Sequence, residues 1–272
     1  LSFKKFMKVF ISADIEGVNG ITSWNETFLN NPHYPRFQKQ LIDEVSMAAK
    51  AAKAAGAKEI VIKDAHDSAL NLIHSELPEY TTLIRGWTGQ PASMMAGLDE
   101  SFNAVIFIGY HSPSCSDGNT LSHTMNTNLI YVKINGEIAS EFLINAYYAS
   151  LLNVPVAFAS GDLQLMHDIN KINSHIITVP TKVGMHGGTL SKHPNVTNQQ
   201  IYEGVLKSLT QIDLSKNIVT LPNKFTLEVK YRNHYDAYSK SFFPGCKLIR
   251  TDTVYFESNN YYDCLIAIKF IL

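Results

Sequence analysis

Apolar positions along the chain fall into short blocks divided by polar loops and by one long stretch of helix-forming residues. The first block, KVFISA at residues 8–13, ends at an acidic pair and a glycine and reads as a buried strand feeding a loop. Residues 36–55 are rich in Ala, Lys, Gln and Leu, with Gly56 as a stop signal, which predicts one long helix. Blocks at 59–63 and 104–108 read as central strands; between them 81–85 predicts a further strand and 91–98 a short helix. Asn135-Gly136 suits the positive φ angles of a tight turn, so 129–138 predicts a hairpin flanking the sheet. Ser140 then offers an N-cap for a helix to about Leu152, and 154–159 returns as a strand.

Strands alternating with helices predict an α/β fold, a mostly parallel sheet flanked by helices, continuing to about residue 210. From Phe225 onward, β-rich runs around Val229, Val254 and Ile266 are separated by Gly, Pro, Asn and Ser and predict a smaller C-terminal α+β portion. The expected division is 1–214 for the α/β part and 215–272 for the rest. The last run, LIAIKFIL at 265–272, reads as a strand whose lone lysine leaves an edge able to pair or be covered.

Composition narrows the function classes. At 272 residues with 45% hydrophobic and 17% charged residues, the chain is an ordinary folded protein rather than a disordered or fibrous one. A net charge of -1 without a long basic run argues against nucleic acid as a partner, because phosphate binding needs concentrated positive charge. No run approaches the roughly 20 apolar residues of a membrane span, so no membrane partner is expected. The first residues carry no apolar leader, and the three cysteines are odd in number and lack CxxC spacing. Reduced thiols in a cytoplasmic protein are the expectation.

Ligand sites in open α/β sheets gather outside the carboxyl ends of the strands. This sequence puts Asp14 and Glu16 after the first strand, His66 after the second and His111 after a third. If extended geometry persists one residue past Ala13, the two-residue spacing turns Asp14 and Glu16 to one side. Each of these residues alone reads equally as a loop carboxylate or a satisfied core histidine. Together, carboxylate oxygens and imidazole nitrogens suit zinc or another divalent first-row metal, whereas calcium wants mainly oxygen.

The strings SADIEG (12–17), KDAH (63–66), GYH (109–111), LSHTM (121–125) and SEFLINAY (140–147) occur in that order. On these motifs the chain resembles the zinc-dependent D-aminopeptidase family, the dipeptide-transport protein A type metallopeptidases, from about residue 8 to 162 and more diffusely beyond. The resemblance implies five metal ligands, Asp14, Glu16, His66, His111 and Glu141, and five are more than one zinc commonly takes. Two zinc ions per chain sharing a carboxylate are therefore expected, and the resemblance makes Asp14 the bridge, with Glu16 and His66 on one ion and His111 and Glu141 on the other. It also implies a catalytic role for His123 and hydrolysis of the N-terminal residue of short peptides, with a metal-acidified water attacking the carbonyl. D-amino-acid peptides are the family's substrates, and a five-fold ring or decamer its homo-oligomer.

Asp64 and Asp67 flank His66 as candidate ligand-orienting carboxylates, although Asp67 reads equally as a turn cap. Asn145, four residues beyond Glu141, reads as a pocket contact or as a structural bond. One departure concerns 183–188, VGMHGG, where glycines stand in place of the family's arginine and His186 is a candidate polar contact or a flexible loop histidine. The competing readings are a two-metal amidase or esterase on another small substrate and a non-catalytic peptide-binding protein.

Overall fold

The computed structural model describes residues 6–272; residues 1–5, where the absence of an apolar leader is the expectation, lie outside the described residues. In chain order the elements are β1 (Lys8–Ala13), α1 (Tyr34–Ala54), β2 (Glu59–Asp64), β3 (Thr82–Ile84) and β4 (Ala104–Tyr110). They continue with β5 (Leu129–Ile134), β6 (Glu137–Ile138), α2 (Glu141–Leu151), β7 (Val156–Asp162), α3 (Leu163–Ile172), β8 (Ile177–Met185), β9 (Gly188–Ser191) and α4 (Pro194–Thr210). Then come β10 (Phe225–Tyr231), α5 (His234–Lys240), β11 (Lys247–Arg250), β12 (Thr253–Ser258) and α6 (Tyr261–Ile271).

The larger sheet has seven strands in the order β3-β2-β1-β4-β7-β8-β9, parallel throughout except for β9 against β8. This is the α/β class that the alternating blocks predicted. β4 and β7 are buried along their whole length because helices cover both faces. Val9 and Ile11 pack with Leu41 and Val45 of α1 and Ile201 of α4 on one face. On the other, Phe10 and Phe107 pack with Phe142 of α2 and Leu165 of α3. Each such side chain contributes about 1.5–3 kcal/mol on burial, so the apolar blocks set the strand positions. α1 begins with Pro35 in its first turn and stops where Gly56 takes φ +98°.

The second sheet is antiparallel, in the order β11-β12-β10-β5-β6. The hairpin at 129–138 forms, with Asn135 and Gly136 both at positive φ, but it pairs with β10 instead of flanking the larger sheet. Strands from both sides of residue 214 thus build this sheet. The expected C-terminal strand is a helix, α6. Tyr261, Cys264, Leu265, Ile268 and Ile271 are buried at helical spacing while Lys269 and Phe270 face outward, and the Asn260 side chain caps the first turn. A short apolar run does not by itself separate strand from helix; the cap does. The short helix expected at 91–98 contracts to one 3-10 turn, Ser93–Met95, because Gly97 follows at φ +98°.

Candidate metal centre

Strand order reverses between β1 and β4, and the crevice beyond their carboxyl ends is where ligands gather in such sheets. Ala13 lies opposite Asp64 on one side and Ile108 on the other. Asp14 therefore leaves β1 beside the points where His66 and His111 leave β2 and β4; its N–H still donates to Ile108 O at 2.9 Å. Two glycines make this close passage possible. A Cβ on Gly17 would stand 1.8 Å from Tyr110 O, and one on Gly109, which adopts φ +70°, would stand 2.2 Å from Asp14 O. Glu141 arrives from the first turn of α2, fixed by the Ser140 hydroxyl accepting the Leu143 N–H at 3.1 Å. A carboxylate is favoured at that helix end.

The five residues expected as ligands and His123 converge. His66 Nδ1 lies 3.0 Å from Glu16 Oε2 and 3.4 Å from Asp14 Oδ1. His111 Nε2 lies 3.6 Å from Asp14 Oδ2 and 3.5 Å from Glu141 Oε1. His123 Nε2 lies 3.6 Å from Glu141 Oε1 and 4.0 Å from Glu16 Oε1. The two oxygens of Asp14 thus face different imidazoles. Asp14 Oδ2, Glu16 Oε2 and His111 Nε2 are buried without a hydrogen-bond partner, an expensive condition for polar atoms that a cation would relieve.

Backbone carbonyls set the tautomer of each imidazole. His66 Nε2 meets Thr27 O at 3.1 Å, His111 Nδ1 meets Ser112 O at 2.9 Å and His123 Nδ1 meets Leu121 O at 2.8 Å. In each case the other nitrogen points its lone pair into the cluster, the arrangement of metal-ligating histidines. Ligand-capable atoms of Asp14, Glu16 and His111 lie within 4.8 Å of one another, as do those of His111, His123 and Glu141. Nitrogen and carboxylate donors without thiolate fit zinc or a similar divalent ion.

Electrostatics lead to the same demand for positive charge. Burial and the neighbouring carboxylates Glu16 and Glu141 hold Asp14 well above the usual range. For Glu16 and Glu141 burial acts in the same direction, but the surrounding histidines outweigh it and leave both lowered. Burial depresses His66 and His111, yet the carboxylates prevail, raising His66 well above its ordinary value and His111 to about 10. Histidine protons and a divalent cation are alternative counter-charges for the same carboxylates.

Behind the cluster lies a polar clamp with no motif to announce it. The buried Lys182 ammonium donates to Glu16 O at 2.5 Å and Ile21 O at 2.6 Å. Thr181 Oγ1 donates to Gly17 O at 2.5 Å and Asn119 Nδ2 to Glu16 O at 3.0 Å. Asn19 completes it, its N–H donating to Glu44 Oε1 at 2.9 Å. Burial lowers Lys182 to about 8 and raises Glu44 to about 7. The one available signal was a lysine inside the β-branched run of 177–183.

A cavity of about 320 Å³ opens on the cluster, with Trp24, Phe28, Trp87, Met94 and Met125 as its apolar walls. Asp64 does not touch the His66 ring. It accepts the N–H groups of Asn71 at 2.6 Å and Leu72 at 2.7 Å, and Asn71 Nδ2 donates to His66 O at 2.7 Å, so it shapes the loop that carries His66. Asp67 lines the cavity, and its carbonyl accepts from Trp87 Nε1 at 2.6 Å. Asn145 has the structural role, with Nδ2 3.2 Å from both Met94 Sδ and Tyr110 Oη. His186 occupies the turn of the β8–β9 hairpin at φ 56° and lines a different cavity.

The chain as a whole is similar to known proteins. The model of the family described as D-aminopeptidase, peptidase M55, matches residues 7–270. The D-aminopeptidase of Bacillus subtilis (strain 168) is 26% identical over 258 residues, which cover 93% of this chain and 92% of that protein. The solved structure of the Zn-dependent D-aminopeptidase DppA from Bacillus subtilis, a self-compartmentalizing protease, is similar with a TM-score of 0.90 at 25% identity, covering 97% of this chain and 96% of that one.

Proposed function

The chain belongs to the D-aminopeptidase family, and on that premise we propose that it holds two zinc ions in the acidic cluster and removes the N-terminal residue of short peptides, those with D-amino acids included. The observation that carries this reading is the split geometry of Asp14. Its Oδ1 faces His66 and its Oδ2 faces His111, so Glu16 and His66 complete one ligand set and His111 and Glu141 the other. The zinc dependence of the similar DppA supports the choice of metal.

When bound, the zinc ions polarise the scissile carbonyl and acidify a water for attack. The chain's own groups supply the rest. His123, 14% exposed in its side chain, is held by Leu121 O on one nitrogen and stacks on His111 with ring centroids 4.4 Å apart. Its other nitrogen therefore stays aimed into the cavity, where it takes up the proton released by the attacking water and, once protonated, passes it to the leaving amine or stabilises the developing oxyanion. Trp24, edge-on to His123 at 5.2 Å, and Phe28 narrow the water's access.

The same family reading extends to setting and assembly. Cys115, Cys246 and Cys264 are free thiols, which fits the reducing cytoplasm; among the described residues no helix is long and apolar enough to cross a membrane. A closed homo-oligomer, a five-fold ring or decamer, would cover the exposed Tyr235, Tyr238, Phe242 and Phe270. The deciding experiment is metal analysis of purified protein together with hydrolysis of matched D- and L-dipeptides. Release of the N-terminal residue by zinc-loaded protein is expected, and zinc-loaded protein inert on the whole panel would overturn the reading.

A further inference from the structure

Of the apolar walls of the metal-facing cavity, Met94 and Ala65 are buried, whereas Phe28 and Trp87 are each 45% exposed. Methionine is ordinarily the most adaptable apolar side chain, able to shift around whatever it meets. Here it is tied at both ends. Its carbonyl accepts the Ser12 hydroxyl at 2.9 Å, and its Sδ accepts from Asn145 Nδ2 at 3.2 Å. Tyr110 Oη joins these two donors, 2.7 Å from Ser12 Oγ and 3.2 Å from Asn145 Nδ2. Because Ser12 uses its proton on the Met94 carbonyl, Tyr110 donates to Ser12, and the two Asn145 amide hydrogens go to Tyr110 and to the sulfur. The four residues are buried and close a ring in which each of these donors has an acceptor.

The ring stands on the elements that deliver the expected metal ligands. Ser12 precedes Asp14 by two residues in β1, Tyr110 precedes His111 at the end of β4, and Asn145 follows Glu141 by about one turn of α2. Met94 itself comes from the single 3-10 turn, whose first residue, Ser93, holds φ 48°, a left-handed conformation that non-glycine residues rarely adopt and that gathers at ligand clamps. The thioether is thus set against the cluster by three separate elements, and the strained turn keeps it there.

Resting on the aminopeptidase reading above, we propose that Met94 is the specificity-determining floor of the subsite for the substrate's N-terminal side chain, and that Ser12, Tyr110 and Asn145 are its positioning residues. A peptide whose first carbonyl lies at the acidic cluster carries its first side chain on the carbon next to that carbonyl, against the buried wall. A pinned thioether cannot withdraw, so this wall discriminates by size and favours small N-terminal side chains. The second residue lies farther out, between Phe28 and Trp87, where the walls are open to solvent and its size matters little.

The test uses the zinc-loaded enzyme on two dipeptide series in both configurations. One varies the N-terminal residue from Ala through Val to Leu; the other varies the second residue over the same set behind an N-terminal Ala. Wild type should lose roughly ten-fold or more in kcat/KM from Ala to Leu in the first series, the scale of extra methylenes against a rigid wall, and far less in the second. Met94→Ala should raise the Leu-to-Ala ratio of the first series by roughly ten-fold without moving the ratios of the second. Met94→Val, the milder truncation, should fall between and carries the test if Met94→Ala does not fold. Asn145→Leu, which keeps Met94 but releases its sulfur, should move the same ratio in the same direction by a smaller factor, at unchanged zinc content. A common loss across both series in these variants, or a wild type that cleaves N-terminal Ala and Leu equally well, would overturn the subsite and keep the aminopeptidase reading. Zinc-loaded wild type inert on every peptide would overturn both.

Discussion

Two loops bring the reacting groups together, and they are built on different terms. The loop after β1, which carries Asp14 and Glu16, is buried from residue 14 to 19 and takes hydrogen bonds from Lys182, Thr181 and Asn119 along its backbone. The segment that carries His123 is only half-buried. It is tied at separate points, by Thr124 Oγ1 donating to Ala139 O at 2.9 Å and by Met125 N–H donating to Glu141 Oε1 at 2.8 Å. A metal cage needs ligands fixed to within a few tenths of an ångström, so donors that immobilise the backbone suit the first loop. A proton carrier must meet both substrate and solvent, so tethering with an open face suits the second.

The contrast predicts that variants in the first loop lose metal and those in the second lose rate. The largest effect is expected for Asp14→Ala, which removes the carboxylate whose two oxygens face His66 and His111. Its zinc affinity should fall by more than about 100-fold, beyond the range of outer-shell changes, with turnover falling alongside. Full zinc content in folded Asp14→Ala, by elemental analysis, would remove Asp14 from the bridge. His123→Ala comes next, losing roughly 100-fold in kcat while keeping its zinc. Zinc lost together with rate would make His123 a ligand, consistent with its 3.6 Å approach to Glu141, and would dissolve the contrast.

Lys182→Met tests the clamp itself. Zinc affinity should drop by about ten-fold, the scale of a second-layer partner, and the melting temperature should fall with it, because Ile21 O is left without the donor that Lys182 supplies. Unchanged affinity in competition with a chelator would reduce Lys182 to packing. The last expected effect is on pH. His66 and His111 are raised above their ordinary values by the surrounding carboxylates, so zinc must displace their protons, and affinity should rise with pH between about 6.5 and 8, by up to about ten-fold per unit for each proton displaced. A flat affinity profile across that window would show that these imidazoles bind no proton in competition with metal.

Residues within short motifs at strand ends were the legible part of the site. Asp14, His66 and His111 follow short β-rich apolar blocks that read as buried strands, and the parallel pairing of β2, β1 and β4 then brings their ends together. Lys182, Asn119 and Trp87 left no such mark, because they act through backbone carbonyls or cavity walls that exist only after distant segments fold together. The same limit explains the errors in the fold. The 129–138 hairpin was legible from Asn135-Gly136, but its pairing with β10, nearly a hundred residues on, was not. LIAIKFIL could be strand or helix until the Asn260 cap and the one-sided burial of α6 separated the two.

The measurement that bears most directly on the centre is the zinc content of the wild-type chain, determined by elemental analysis on folded, catalytically assayed protein. With the two oxygens of Asp14 turned toward separate imidazoles, the expected result is about two zinc ions per chain at saturation, the stoichiometry of a carboxylate-bridged pair. Saturation at about one ion with full activity would contradict it, leaving Asp14 a one-sided ligand and one of the two ligand sets without a metal.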